Sequence, residues 1–209
     1  MHRAAALRAL AVSAIALVLV VANVAPVEAN HSWGGYHWAR TSASFTVKLG
    51  DNLSTGWKPY LATASSDWTQ STVLDTTIVA GGAKGNCRPT SGRVEVCNKS
   101  YGFNGWLGLA QIWITGGTHI TQGAVKVNDS YFNLAQYNNP NEKQHVMCQE
   151  IGHTFGLGHT SEDGSTQHTC MDYSSDPTST HPNQHDYDEL ATIYGHLDSF
   201  STIGAAAAA

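Results

Sequence analysis

The chain carries little charge. Only 13% of its 209 residues are Asp, Glu, Lys or Arg, and the formal net charge is -5. No cluster of Lys and Arg occurs beyond residue 30, so nothing in it offers phosphates the contacts that dominate nucleic-acid binding, and a nucleic-acid partner is excluded. Cysteine is scarce, with four residues in all and none in a Cys-x-x-Cys pair, which argues against a zinc knuckle. A run able to span a bilayer is also missing. The longest apolar stretch, ALAVSAIALVLVVA at 9–22, falls short of the roughly 20 residues a spanning helix needs.

That stretch has another reading. His2, Arg3 and Arg8 precede it and Val27-Glu28-Ala29 follows as a small-x-small cleavage site, the order of a secretory signal peptide over 1–29. The mature protein is therefore expected to begin near Asn30, to be extracellular, and to make no stable membrane insertion after cleavage. In that compartment Cys87, Cys97, Cys148 and Cys170 are expected in disulfides. Three connectivities are possible, and proximity in sequence favours Cys87 with Cys97 and Cys148 with Cys170. With 42% hydrophobic residues the chain supports one core, so a single monomeric domain over 30–200 is expected, with a disordered tail at 201–209 ending in alanines.

The first half reads as a strand-rich layer with one helix. ASFTVKLGD (43–51), TTIVAGG (76–82), GRVEVCN (92–98), GWLGLAQIWITGG (105–117) and HITQGAVKVND (119–129) are strand candidates. KPYLATASSDWTQST (58–72) is a helix whose Leu61, Ala64 and Trp68 share a face. The second half is helical and loop-like. A helix starts at Asn139-Pro140-Asn141, with Asn141 and Gln144 spaced as a capping box, and Gly156 ends it. After a loop rich in Ser and Thr, Asn183 caps a last helix striped by Tyr187, Leu190, Ala191 and Tyr194.

The first of these helices carries the chemistry. In QEIGHTFGLGH (149–159), residues 149 and 153 lie one turn apart on one face, and Gly156 lets the backbone turn so that His159 reaches back toward them. His145 is two turns from His153, about 12 Å of rise, too far to share an ion with it. This segment resembles the metzincin signature His-Glu-x-x-His-x-x-Gly-x-x-His, matching at Glu150, His153, Gly156 and His159 and departing at Gln149. Downstream, TCMDY supplies Met171 at the place of the methionine turn, and Tyr173 follows it as in the astacin and serralysin branches. Thr160 and the DYDELATIYG helix look closer to the matrixins.

The resemblance implies an α+β fold in which a twisted mixed sheet packs on a long active-site helix, followed by the methionine turn and a C-terminal helix. It implies Zn2+ held by His153, His159 and, as a weaker amide-oxygen ligand, Gln149. Glu150 would be the general base for a zinc-activated water, and Tyr173 would help stabilise the oxyanion. The expected activity is a secreted zinc metalloendopeptidase, weakened at the metal by Gln149, acting on a protein or peptide in extended form laid along a sheet edge, with 119–129 as the candidate edge. The other class left open is a catalytically inactive module of the same fold that binds proteins or peptides.

Overall fold

The computed structural model describes residues 30–204. The expected signal peptide at 1–29 and tail residues 205–209 lie outside them. Ten elements follow in order: β1 (His37–Trp38), β2 (Phe45–Asn52), α1 (Lys58–Trp68), β3 (Leu74–Ala80), β4 (Val94–Lys99), β5 (Gly108–Thr115), β6 (His119–Asn128), α2 (Asp129–Phe132), α3 (Pro140–His153) and α4 (Gln184–Ile193). The class is the expected α+β, with a mixed sheet in the first half and helices and long loops in the second.

The sheet has six strands. Five are parallel in the order β1-β6-β4-β2-β3, and β5 joins antiparallel to β6. A tight turn at Gly116-Gly117, with φ of +58° and +91°, makes the β5–β6 hairpin, a conformation that glycine adopts without a Cβ penalty. The run 119–129, expected as the open edge, is instead mostly the interior strand β6, flanked by β4 and β1 on one side and β5 on the other. Its Ala124, Val125 and Val127 are fully buried. Among the described residues β5 pairs only with β6, so β5 supplies the free edge beside α3.

Helix α3 crosses the core. Asn139 caps it, its side chain accepting from the Glu142 amide at 2.8 Å, and Pro140 occupies the first turn. The cap is therefore two residues ahead of the expected Asn141, because the proline must follow the cap and cannot precede it. From Gln144 to Gly152 every residue is buried, and α3 packs between the sheet and α1. Leu61, Ala64 and Trp68 of α1 do turn inward together. Three aromatic side chains fix α3 and the turn that follows it by donating to backbone carbonyls: Trp68 Nε1 to Cys148 O (3.1 Å), Trp38 Nε1 to Thr154 O (2.9 Å) and Tyr194 OH to Phe155 O (2.9 Å). Burying such a ring while satisfying its polar tip is what makes aromatic residues useful at a helix end.

Disulfides join Cys87 to Cys97 and Cys148 to Cys170. The second ties the middle of α3 to the loop that carries Met171. Helix α4 is capped by Asn183 and Asp186 in a reciprocal capping box. Residues 201–204, expected in the disordered tail, include a docked residue: Thr202 is buried and exchanges two hydrogen bonds with Ala39. No helix among the described residues is long and apolar enough to cross a membrane.

Candidate metal centre

His153 sits in the last turn of α3, and Gly156 turns the chain at φ +99°. A Cβ on Gly156 would lie 1.9 Å from Tyr36 O, so both the conformation and the space demand glycine. The turn brings His159 back, and its Nε2 stands 2.9 Å from His153 Nε2. The outer nitrogens fix the tautomers. His153 Nδ1 must donate to the Leu157 carbonyl (2.8 Å), and His159 Nδ1 donates to Glu162 Oε1 (3.0 Å). With both rings neutral in these tautomers, each Nε2 would direct its lone pair at the other, an arrangement that repels unless a cation lies between them.

Burial makes a proton a poor choice for that cation. It holds His153 down to about 4, with His159 and His31 pushing the same way against the Leu157 carbonyl. Burial also pushes Glu150 up to about 8, opposed only by a backbone hydrogen bond from Ala110. Burial thus keeps both groups neutral, which leaves the His153 nitrogen free as a donor. Two imidazole nitrogens poised in this way fit a nitrogen-seeking divalent ion such as zinc.

Gln149 lines the same cavity, but its amide nitrogen is committed. It donates to Asp172 O at 2.8 Å and lies 3.4 Å from His145 Nε2, while His145 Nδ1 bonds Ser179 O. That leaves Gln149 Oε1 as the only atom of the amide available to an ion. Asp172 organises the loop that receives this amide: its carboxylate accepts from the backbone of Gln167 (2.7 Å) and Ser174 (2.9 Å) and from Ser179 Oγ (3.0 Å). Nothing local marks Asp172 for this role beyond its position next to Met171.

Below the site Met171 is fully buried, and its carbonyl accepts from the Thr160 amide at 2.9 Å. Its Sδ fills the space beneath Gly152, where a Cβ would come within 2.5 Å of it. Tyr173 is about half exposed, with its ring centroid 4.1 Å from that of His159. Burial and the nearby carboxylates of Glu162 and Glu150 raise its hydroxyl pKa, so the phenol stays protonated as a donor.

Gln149, Glu150, His153, His159 and Tyr173 line one cavity of about 910 Å³. One wall is the Gly105–Ala110 stretch leading into β5, and another is Asn30–Trp33; His159 and Tyr173 face them. Gly108 matters here, because a Cβ at that position would stand 2.5 Å from Glu150 Oε1, so glycine lets the edge strand close on the carboxyl. The N-terminal wall was not anticipated. Ser32 bridges Leu157, and the Trp33 amide bonds Gly156 O at 2.7 Å, so this segment lies along the loop between the two histidines.

No protein-family model matches the chain, and no curated protein matches it in sequence. Solved structures similar to it include two of myroilysin, one at 12% identity with a TM-score of 0.43 over 78% of this chain and 82% of that one, the other at 11% and 0.41 over 82% and 97%. High choriolytic enzyme 1, a hatching enzyme zinc-protease from the medaka fish Oryzias latipes, is similar at 10% identity and a TM-score of 0.43 over 76% of this chain and 94% of that one. At such scores the likeness carries no functional weight. That weight falls on the site's own atoms.

Proposed function

We propose that the chain is a secreted zinc metalloendopeptidase of the metzincin type. The observation that carries this reading is the approach of His153 and His159 Nε2 to 2.9 Å at the end of the helix that also presents Glu150. His153 and His159 would hold the zinc, with Gln149 Oε1 as the third and weaker protein donor. When bound, zinc supplies Lewis acidity and acidifies water at neutral pH.

The chain's own residues then divide the work. The free edge of β5 at Gly108–Ala110 offers main-chain groups to a substrate in extended form, which binds it without reading its side chains closely. Glu150, beside that edge, would be ionised by a divalent charge held next to it; it then takes the proton from the attacking water and returns it to the leaving amine nitrogen. The Tyr173 hydroxyl donates to the carbonyl oxygen as negative charge develops there. Met171 and the Cys148–Cys170 bridge support the helix and loop from below.

A second reading rests on residue 149 itself, where an amide oxygen, a poorer partner for zinc than imidazole, stands at the first ligand position. On that reading the cleft binds peptides and hydrolyses nothing. Casein hydrolysis by the purified protein decides between them. A peptidase gives zinc-dependent, chelator-sensitive cleavage that is lost in H153A and H159A. A binding module gives no cleavage in any of the three, and that result would overturn the proposal.

A further inference from the structure

A second group of unmatched buried atoms lies behind the N-terminal wall. His31 is buried, and its Nδ1 must donate to the Gly158 carbonyl at 3.2 Å, which leaves Nε2 with a lone pair. That Nε2 has no hydrogen-bond partner and faces Asp186 Oδ1, likewise buried and without a partner, at 3.5 Å. The Asp186 carboxylate is held in place by its other oxygen, Oδ2, which accepts from Thr169 Oγ1 and from the Asn183 amide at 2.7 Å. The half-buried His185 ring stacks on His31 with centroids 4.8 Å apart. One turn along α4, Glu189 Oε1 is a third buried atom without a partner, and its charge reaches His31.

We propose that His31, His185 and Asp186 form a second divalent-metal site, with the Glu189 carboxylate nearby to offset its charge, and that zinc or a similar nitrogen- and oxygen-binding ion occupies it. One ligand atom from each of the three residues already lies within 4.8 Å of the others. Tetrahedral ligands at about 2.1 Å from an ion stand roughly 3.4 Å apart, so rotation of the half-buried His185 side chain completes the set. Two neutral imidazoles and two carboxylates balance a divalent charge, which removes the cost of burying the acids unpaired. A single proton between His31 and Asp186 would satisfy that pair and leave Glu189 Oε1 unmatched.

The location gives the ion a task. The carbonyl of His31 accepts from the Gly158 amide at 2.5 Å, one residue before His159, and Trp33 stands edge-on to His153 with centroids 5.8 Å apart. A metal here fastens the Asn30–Trp33 wall to α4 and braces the loop that bears His159. It is a structural ion, separate from the one proposed for hydrolysis.

The test measures zinc retained after gel filtration, together with thermal melting, in four folded proteins. Wild type should keep two equivalents and the H153A/H159A double variant one, with a zinc-dependent rise in melting temperature in both. Adding H185A to the double variant should cut retention at least 10-fold and abolish that rise, and H185A alone should keep one equivalent. Because His185 is half-buried, its removal spares the core; circular dichroism checks this, and E189Q, expected to weaken retention in the double variant, provides a second probe. Retention unaffected by H185A, or a folded double variant that binds no zinc, would overturn the site. One equivalent in wild type that H185A removes and H153A/H159A does not would uphold it while overturning the peptidase reading.

Discussion

Replacing Gly152 by alanine tests whether the methionine turn packs against the metal-bearing helix as described. An alanine Cβ would stand 2.5 Å from Met171 Sδ, 2.7 Å from Trp68 Cζ2 and 3.1 Å from Trp68 Cη2. Neither neighbour can yield freely. Trp68 is fully buried and anchored through Nε1 to Cys148 O, and Met171 is fully buried with its amide bonded to Thr169 Oγ1 at 3.1 Å. In an exposed helix the same change would stabilise by about 1 kcal/mol through helix propensity. Here that gain meets an overpacking cost of about 1–3 kcal/mol, and two contacts this short place it at the upper end. We expect a net loss of about 1–2 kcal/mol, seen as a fall in melting temperature of roughly 2–8 °C for a chain of this size. Thermal unfolding in excess chelator isolates packing from metal binding. In G152A the further change M171A, which opens the space, should cost less than it does in wild type, because the two residues touch. A melting temperature unchanged or raised in G152A would refute the packing beneath the site.

Other consequences follow from single contacts. Gln149→His should raise zinc affinity at the His153–His159 pair by supplying a third imidazole, whereas Gln149→Ala should lower it; competition with a chromophoric chelator reads both, and equal affinity in all three proteins would remove residue 149 from the ligand set. Reducing the Cys148–Cys170 bridge should cost about 3 kcal/mol by loop entropy, measured by denaturant unfolding of C148A/C170A, and a loss below about 1 kcal/mol would show that the bridge does not brace the loop. Glu95 is buried; burial alone would raise its pKa, but hydrogen bonds from Thr90, Asn52 and the Gly82 amide, with the Arg93 guanidinium, hold it below the usual carboxylate value. Its ionised form therefore adds stability that is complete above about pH 4.5 and is lost as pH falls through the lowered folded value. Glu95→Gln should flatten this acid limb of the stability curve, and an unchanged limb would contradict the assignment.

Much of the fold was legible because its signals are local. Asn139-Pro140 and Asn183 mark helix starts through backbone chemistry that a few residues settle, and Leu61, Ala64 and Trp68 reveal their shared face by spacing alone. The edge of the sheet was not legible. β5 and β6 are both apolar enough to be interior, and only the parallel crossover that sets β4 beside β6 decides which of them stays open. At the site, Glu150, His153, His159 and Met171 could be singled out because one helix and one turn fix their spacing. Asp172, His145 and the Asn30–Trp33 wall act through contacts between segments far apart in sequence, so no local pattern announces them. The amide orientation of Gln149 belongs to the same class, since the Asp172 carbonyl sets it.

The central claim is that a metal held by His153 and His159 works with Glu150 as the proton carrier, and Glu150→Gln at saturating zinc tests it most directly. The amide keeps the shape beside Gly108 and removes the base. The account predicts that this variant folds, retains its zinc, and hydrolyses casein at least about 100-fold more slowly than wild type. Turnover equal to wild type with zinc still bound would contradict it.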